Sequence, residues 1–336
     1  MDLRGDIEIQ SIQSECFMKD SKFVLAACAL SIALGGKWTR GAEPDTVPPD
    51  RGAKEFCVAG YLPDYRVNEV DPAAAESLSD LIYFSIQPSA EGEVQAAKLS
   101  AATLEKLQTL KGRGKLRLLI AVGGWDRSKG FAPMATNPQT RHKFIANLAA
   151  FCRQRNFDGV DFDWEHPANR AEEEAYAALL VETSEAMHRE NKIVTIAMAA
   201  WQHLEPKAFA AVDRIHLMAY DHDGRRHSTF ERAQADVERL IEQGARPGKI
   251  CLGLPFYGRG MDDRSQVKTY AELAAMGDLA AEVDEAAAIY FNGPATIQKK
   301  TRYAHDRGLA GVMIWELGQD AAGVRSLLRA IKAVKP

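Results

Sequence analysis

Residues 157–167 of this 336-residue chain read Phe-Asp-Gly-Val-Asp-Phe-Asp-Trp-Glu-His-Pro. Three acids, Asp161, Asp163 and Glu165, fall at every second position, with Phe162 and Trp164 between them and Val160 just before. Side chains alternate across a β-strand, so a strand here puts the acids on one face and the apolar residues on the other. Three carboxylates on one buried face cannot all ionise, because like charges at short range disfavour one another's charged form. The expected state is an inner Asp161–Asp163 pair sharing protons, with Glu165 at the strand end kept as an acid. A carboxyl group held protonated near neutral pH can give its proton to a leaving-group oxygen. Two other readings fit the same residues: a solvated acidic strand end, and a Mg or Ca site built from carboxylates. Against the metal reading, no second acidic cluster of similar density lies on another apolar run.

Such a strand needs a scaffold. Eight short apolar runs, at 56–61, 81–86, 116–122, 159–162, 193–199, 215–220, 250–254 and 311–315, mostly lack clean alternation. That is how parallel strands buried on both faces read. Between them lie helical patterns. Leu104, Leu107 and Leu110 recur at three-residue spacing, and Phe144, Leu148, Phe151 and Cys152 mark one face of 141–154. Similar stripes run through 175–188 and 324–333. Eight strands alternating with helices predict an α/β fold, a (β/α)8 TIM barrel spanning 55–336 as a single domain. An open doubly wound sheet competes, but no Gly-x-Gly-x-x-Gly follows the first run. Residues 259–283 are charged and weakly patterned, and read as loop plus helix rather than a large insertion domain. In a barrel, Glu165 ends the fourth strand on the carboxyl side, where barrel active sites lie.

Within this frame, Asp158-x-x-Asp161-x-Asp163-x-Glu165 resembles the signature of glycoside hydrolase family 18, the chitinases and their relatives. Gly123-Gly124-Trp125 after the third run, Met218-Ala219-Tyr220-Asp221 at the sixth and Gly253-Leu254-Pro255-Phe256-Tyr257-Gly258 at the seventh fit the same family. So do Tyr61 at the first run and Trp315 at the eighth. The resemblance implies hydrolysis of β-1,4 linkages in N-acetylglucosamine polymers, with no metal and no cofactor. It implies Glu165 as the acid, Asp163 as acceptor for the acetamido N–H, and Asp161 exchanging charge with Asp163. Tyr220 would donate to the acetamido group, and Asp158 would support the ladder. Trp315, Tyr61, Trp125, Gly124, Met218, Asp221 and Phe84 are the implied sugar-binding residues. Trp201, His222 and Asp223 are further candidates at the same end, while His166 reads as a loop residue.

One departure stands out. Ala121 occupies the place of a family serine whose hydroxyl helps to hold the inner aspartate, and Tyr61 is expected to compensate in part. The family's insertion domain is not evident, which implies a shallow cleft suited to endo attack. The same chemistry would serve an endo-β-N-acetylglucosaminidase or a peptidoglycan hydrolase. A glycan-binding lectin on this barrel usually lacks the acid, and Glu165 is present.

Composition agrees with a globular protein, at 46% hydrophobic and 26% charged residues. The net charge of −4 lacks the basic surplus of a nucleic-acid binder. Residues 23–34 form an apolar run, shorter than the about 20 residues a membrane-spanning helix needs. Lys19 and Lys22 precede it and Gly35 and Gly36 follow, the order of a secretory signal peptide. The expectation is a signal region over 1–42, with Met18 as an alternative start, and a Pro-rich linker over 43–54. A secreted or periplasmic monomer with a glycan substrate, no nucleic-acid partner and no membrane span follows. Leu25-Ala26-Ala27-Cys28 resembles a lipoprotein box, the weaker alternative. Cys57, Cys152 and Cys251 then remain and read as buried free thiols.

Overall fold

Each of the eight apolar runs contributes a parallel strand in the computed structural model, which describes residues 56–277 and 279–334. The strands are β1 (Cys57–Pro63), β2 (Asp80–Pro88), β3 (Arg117–Gly123), β4 (Gly159–Asp163), β5 (Ile193–Met198), β6 (Arg214–Leu217), β7 (Ile250–Pro255) and β8 (Gly311–Trp315). Each pairs with its sequence neighbour, and β8 pairs back onto β1 with Cys57 opposite Gly311. The sheet is therefore a closed barrel, as the sequence pattern predicts. Alternation sorts the side chains. Val58, Leu81, Leu118, Val160, Ile196 and Leu252 join the core between strands and helices. Ala59, Tyr61, Ile82, Leu119, Ala121 and Met313 fill the bore.

The outer layer comprises α1 (Ala101–Gly114), α2 (Phe131–Thr136), α3 (Pro138–Gln154), α4 (Arg170–His188), α5 (Pro206–Ala211), α6 (Phe230–Glu242), α7 (Tyr270–Ala275), α8 (Pro294–Asp306) and α9 (Leu327–Ala333). Side-chain caps fix several starts. Ser100, Asn169 and Thr229 each accept a backbone N–H from the first turn, which satisfies donors the helix itself cannot use.

Between β7 and α8 the chain is more ordered than its sequence suggests. Tyr257–Gly260, Val267–Thr269, Glu285–Ala286 and Ile289–Tyr290 form a small antiparallel sheet with α7 beside it. The expected helix in 259–283 is present, but its flanks pair as strands. Strands of two to four residues are too short to carry a readable period. Among the described residues no large insertion domain interrupts the barrel.

Cys57, Cys152 and Cys251 are buried free thiols. The signal region 1–42, the Met18 start, the Cys28 site and the linker 43–54 lie outside the described residues. Among the described residues no helix is long and apolar enough to cross a membrane.

Candidate active site

Strand β4 aims the acids as its alternation predicts. Asp161 and Asp163 are buried in the bore, and Glu165 follows just beyond the carboxyl end with its side chain 15% exposed. The β3 loop holds this strand end in place: Gly124 N donates to Asp163 O at 2.7 Å, and Glu165 N donates to Ser128 Oγ at 3.1 Å. Asp161 is the most enclosed acid. Tyr61 Oη donates to its Oδ2 at 2.6 Å, Thr195 Oγ1 to its Oδ1 at 2.5 Å, and His216 Nδ1 lies 3.0 Å from Oδ1. Asp163 Oδ1 is buried without a hydrogen-bond partner.

The electrostatics follow from this packing. Burial pushes Asp163 well above the usual carboxylate range, and the charges of Glu165 and Asp161 push it further. Burial also raises Glu165, to about 7; the Asp221 charge adds to this and the Trp125 backbone amide opposes it. A proton donor near neutrality therefore stands at the strand end. Burial alone would lower His216, but the adjoining Asp161 charge reverses the effect and lifts it to about 10.

Glu165 opens into a cavity of about 530 Å³ that Asp163, Tyr220, Tyr61, Met218 and Trp315 also line. Tyr61, Phe84 and Trp315 pack on one another, with Trp315 centred 5.5 Å from Tyr61 and 4.9 Å from Phe84. Gly253 makes room for Tyr220, since a Cβ there would sit 2.9 Å from Tyr220 Cε1 and 2.2 Å from Leu217 O. At the mouth Trp125 and Trp201 are 70% and 62% exposed. Apolar ring faces around a carboxylate pair suit a sugar, whose C–H faces pack on aromatics while its hydroxyls seek charge.

A family model, "Glycosyl hydrolases family 18", matches residues 58–320, most of the chain. The chain belongs to glycosyl hydrolase family 18. It is 27% identical over 240 residues to Probable chitinase 2 of Drosophila melanogaster, covering 63% of this chain and 48% of that protein. It is 26% identical over 317 residues to Chitinase A1 of Niallia circulans, covering 70% and 45%. The chain thus spans about half the length of these relatives. Among solved structures, the family 18 chitinase ChiB from the chitin utilization locus of Flavobacterium johnsoniae matches with a TM-score of 0.74 at 28% identity, covering 83% of this chain and 93% of that one.

For a family 18 chain, several residues sit where the motif alone would not put them. Asp158 is not part of the ladder. It precedes β4 on the outward face, where its Oδ2 accepts Leu118 N at 2.8 Å and pairs with Lys111 Nζ at 2.7 Å. It ties α1 and β3 to the start of β4, because its even position faces the helices with Val160 and Phe162. Phe84 and Gly124 do not line the cavity. Phe84 stands behind Trp315, and Gly124, at φ 103°, leaves space for the Phe84 ring, 2.1 Å from where a Cβ would be. Asp221 does line it, but its carboxylate is committed to Arg259, with Nη2 to Oδ2 at 2.7 Å. Burial would raise that carboxyl; Arg259 holds it well below the usual range instead.

Other residues of the site carried no such expectation. His166 lines the cavity with its Nε2 3.7 Å from Glu165 Oε2, and its ring meets Trp201 edge-on. Burial lowers its pKa. Thr195 and His216 hold Asp161; alternation puts them on the bore face with Ala197 and Ala199 and with Met218 and Tyr220, but only closure of the barrel brings them to the aspartate. Among the described residues no cluster of three or more His, Cys, Asp or Glu is placed to hold a metal ion.

Proposed function

We propose that this chain is a secreted glycosidase that cleaves β-1,4 linkages in N-acetylglucosamine polymers, chitin first among them. The observation that carries this reading is the acid ladder itself. Asp161, Asp163 and Glu165 climb one face of β4 and its end into a ring-lined cavity, and burial lifts the Glu165 carboxyl to about 7. The relatives, each named a chitinase, favour chitin within that class.

Family 18 enzymes are exceptions to the usual retaining mechanism with a carboxylate nucleophile, because the substrate assists. Glu165 gives its proton to the glycosidic oxygen as the C1–O bond breaks. The carbonyl oxygen of the sugar's own 2-acetamido group bonds to C1 from the opposite face, forming an oxazolinium ion. Asp163 passes its proton to Asp161, accepts the acetamido N–H on its unpartnered Oδ1 and so offsets the positive charge. Tyr220 donates its hydroxyl to the acetamido oxygen. Water then attacks C1, giving a proton back to Glu165, and the ring opens. Two inversions give net retention.

Side-by-side product assays on chitin oligomers, an N-glycopeptide and peptidoglycan test the substrate. Cleavage of chitin oligomers, with cellulose oligomers inert for want of the amide, is the expected result. Glu165→Gln should lower kcat by about 10²–10⁴-fold, the usual worth of a general acid, while calorimetry shows oligosaccharide binding intact. Undiminished turnover in that variant would remove Glu165 from its role.

A further inference from the structure

Strand β3 offers Asp161 only a methyl group. Ala121 is its register partner, and Thr195 is the partner on the other side. The donors that satisfy Asp161 come instead from β1, β5 and β6: Tyr61, Thr195 and His216. His216 is fully buried, and its Nδ1 also lies 3.1 Å from Tyr61 Oη. Tyr61 already donates to Asp161, so its oxygen is free to accept, and Nδ1 must carry a hydrogen to serve both neighbours. We propose that His216 is a positioning residue that replaces the hydroxyl missing at Ala121: its N–H and its positive charge fix Asp161 as the acceptor end of the ladder and leave the shared proton on Asp163.

The surroundings agree with that charge. The ionisable groups against the ring are Asp161 on β4, Tyr61 on β1 and Cys251 on β7, with Asp163 near and Cys57 behind Cys251. His216 is the basic group beside Asp161, and two carboxyl groups share its side of the bore; Arg214, the other cation near Cys251, is paired with Asp80 below. Without a cation, the Asp161 carboxylate would be buried with neutral donors alone, and a buried charge without a countercharge is costly. The second ring nitrogen is buried without a hydrogen-bond partner, and the Cys251 thiol lies beside the ring. The Cys57 thiol first, then His216, draw the Cys251 thiol down to about 5 against burial.

The proposal rests on the ladder being catalytic, and two measurements separate its failure from failure of that reading. The first needs no turnover. In protein labelled at histidine rings, one of the eight histidines should still give imidazolium signals at pH 8.5, and these should vanish in His216→Asn. Eight neutral rings at pH 8.5 overturn the proposal, whether or not the variant folds. The second is kinetic. His216→Asn keeps an N–H donor but no charge, so the acidic limb of kcat against pH should move up by about 1–3 units with KM within about twofold. Adding Ala121→Ser restores a hydroxyl beside Asp161 and should move that limb part of the way back. An unmoved limb, or a double variant no different from His216→Asn, overturns the proposal. A wild-type protein that cleaves none of the three glycans defeats the functional reading instead, and the ring spectrum still decides His216.

Discussion

Two acids two positions apart carry different protons because their surroundings differ. Asp163 lies deeper than Glu165 and sees two carboxyl neighbours; Glu165 meets the cavity and one amide. Because burial lifts Glu165 to about 7, its acid form is lost as pH rises through that value. The kcat/KM profile should therefore fall above about pH 7, and an initial-rate series from pH 4 to 9 checks it. A plateau to pH 9 would mean that another group supplies the proton. Alternation alone makes this ladder legible in the sequence, because acids at 161, 163 and 165 interrupt an apolar strand. Thr195 and His216 were not legible in the same way. Each is a single polar residue in an apolar run, and only closure of the barrel brings both to Asp161. Asp221 lines the cavity where its motif neighbours put it, but its partner Arg259 comes from the weakly patterned stretch after β7 and was not legible.

At the level of elements, the strands were readable and some helices were not. The eight apolar runs match the eight strands within a few residues. Helix α8 escaped notice because its buried face is Ile297, Lys300, Thr301 and Ala304, so a lysine and a threonine break the apolar stripe. Helices α2 and α5 have six residues each, too few for a period. The β3–α2 loop is where an element shapes the chemistry. A methyl group at 124 would meet the Phe84 ring and force a side chain into a left-handed φ. Gly124→Ala should cost about 1–3 kcal/mol of stability and tilt Phe84 against Trp315, raising KM more than it lowers kcat. Thermal melts and steady-state kinetics on chitin oligomers check both; an unchanged KM would mean that Phe84 does not set the Trp315 plane.

Across the whole molecule, one buried cation joins three separate pieces of chain. Lys300 Nζ on α8 donates to Ser228 O at 3.0 Å and Ser228 Oγ at 2.7 Å, in the loop before α6, and to Asn292 Oδ1 at 2.8 Å, at the end of the small antiparallel sheet. Every one of these acceptors is neutral, and burial lowers the amine to about 7. The unfolded chain then holds more protons than the folded one from about pH 7 up to the ordinary lysine value, so this group's contribution to stability rises with pH across that window. Lys300→Met removes three buried hydrogen bonds and should cost about 1–3 kcal/mol in alkaline solution. The deficit should shrink towards pH 6, where the parent must bury a charge; melting curves at pH 6 and 9 compare the two. The foot of the barrel has a different consequence. Asp80, fully buried, is clamped there by Arg117 and Arg214, and Cys57, Cys251 and His216 fill the space above it. The barrel is thus stoppered at its base, so on the proposed chemistry the water of the second step and the freed saccharide would both use the mouth where Trp125 and Trp201 stand.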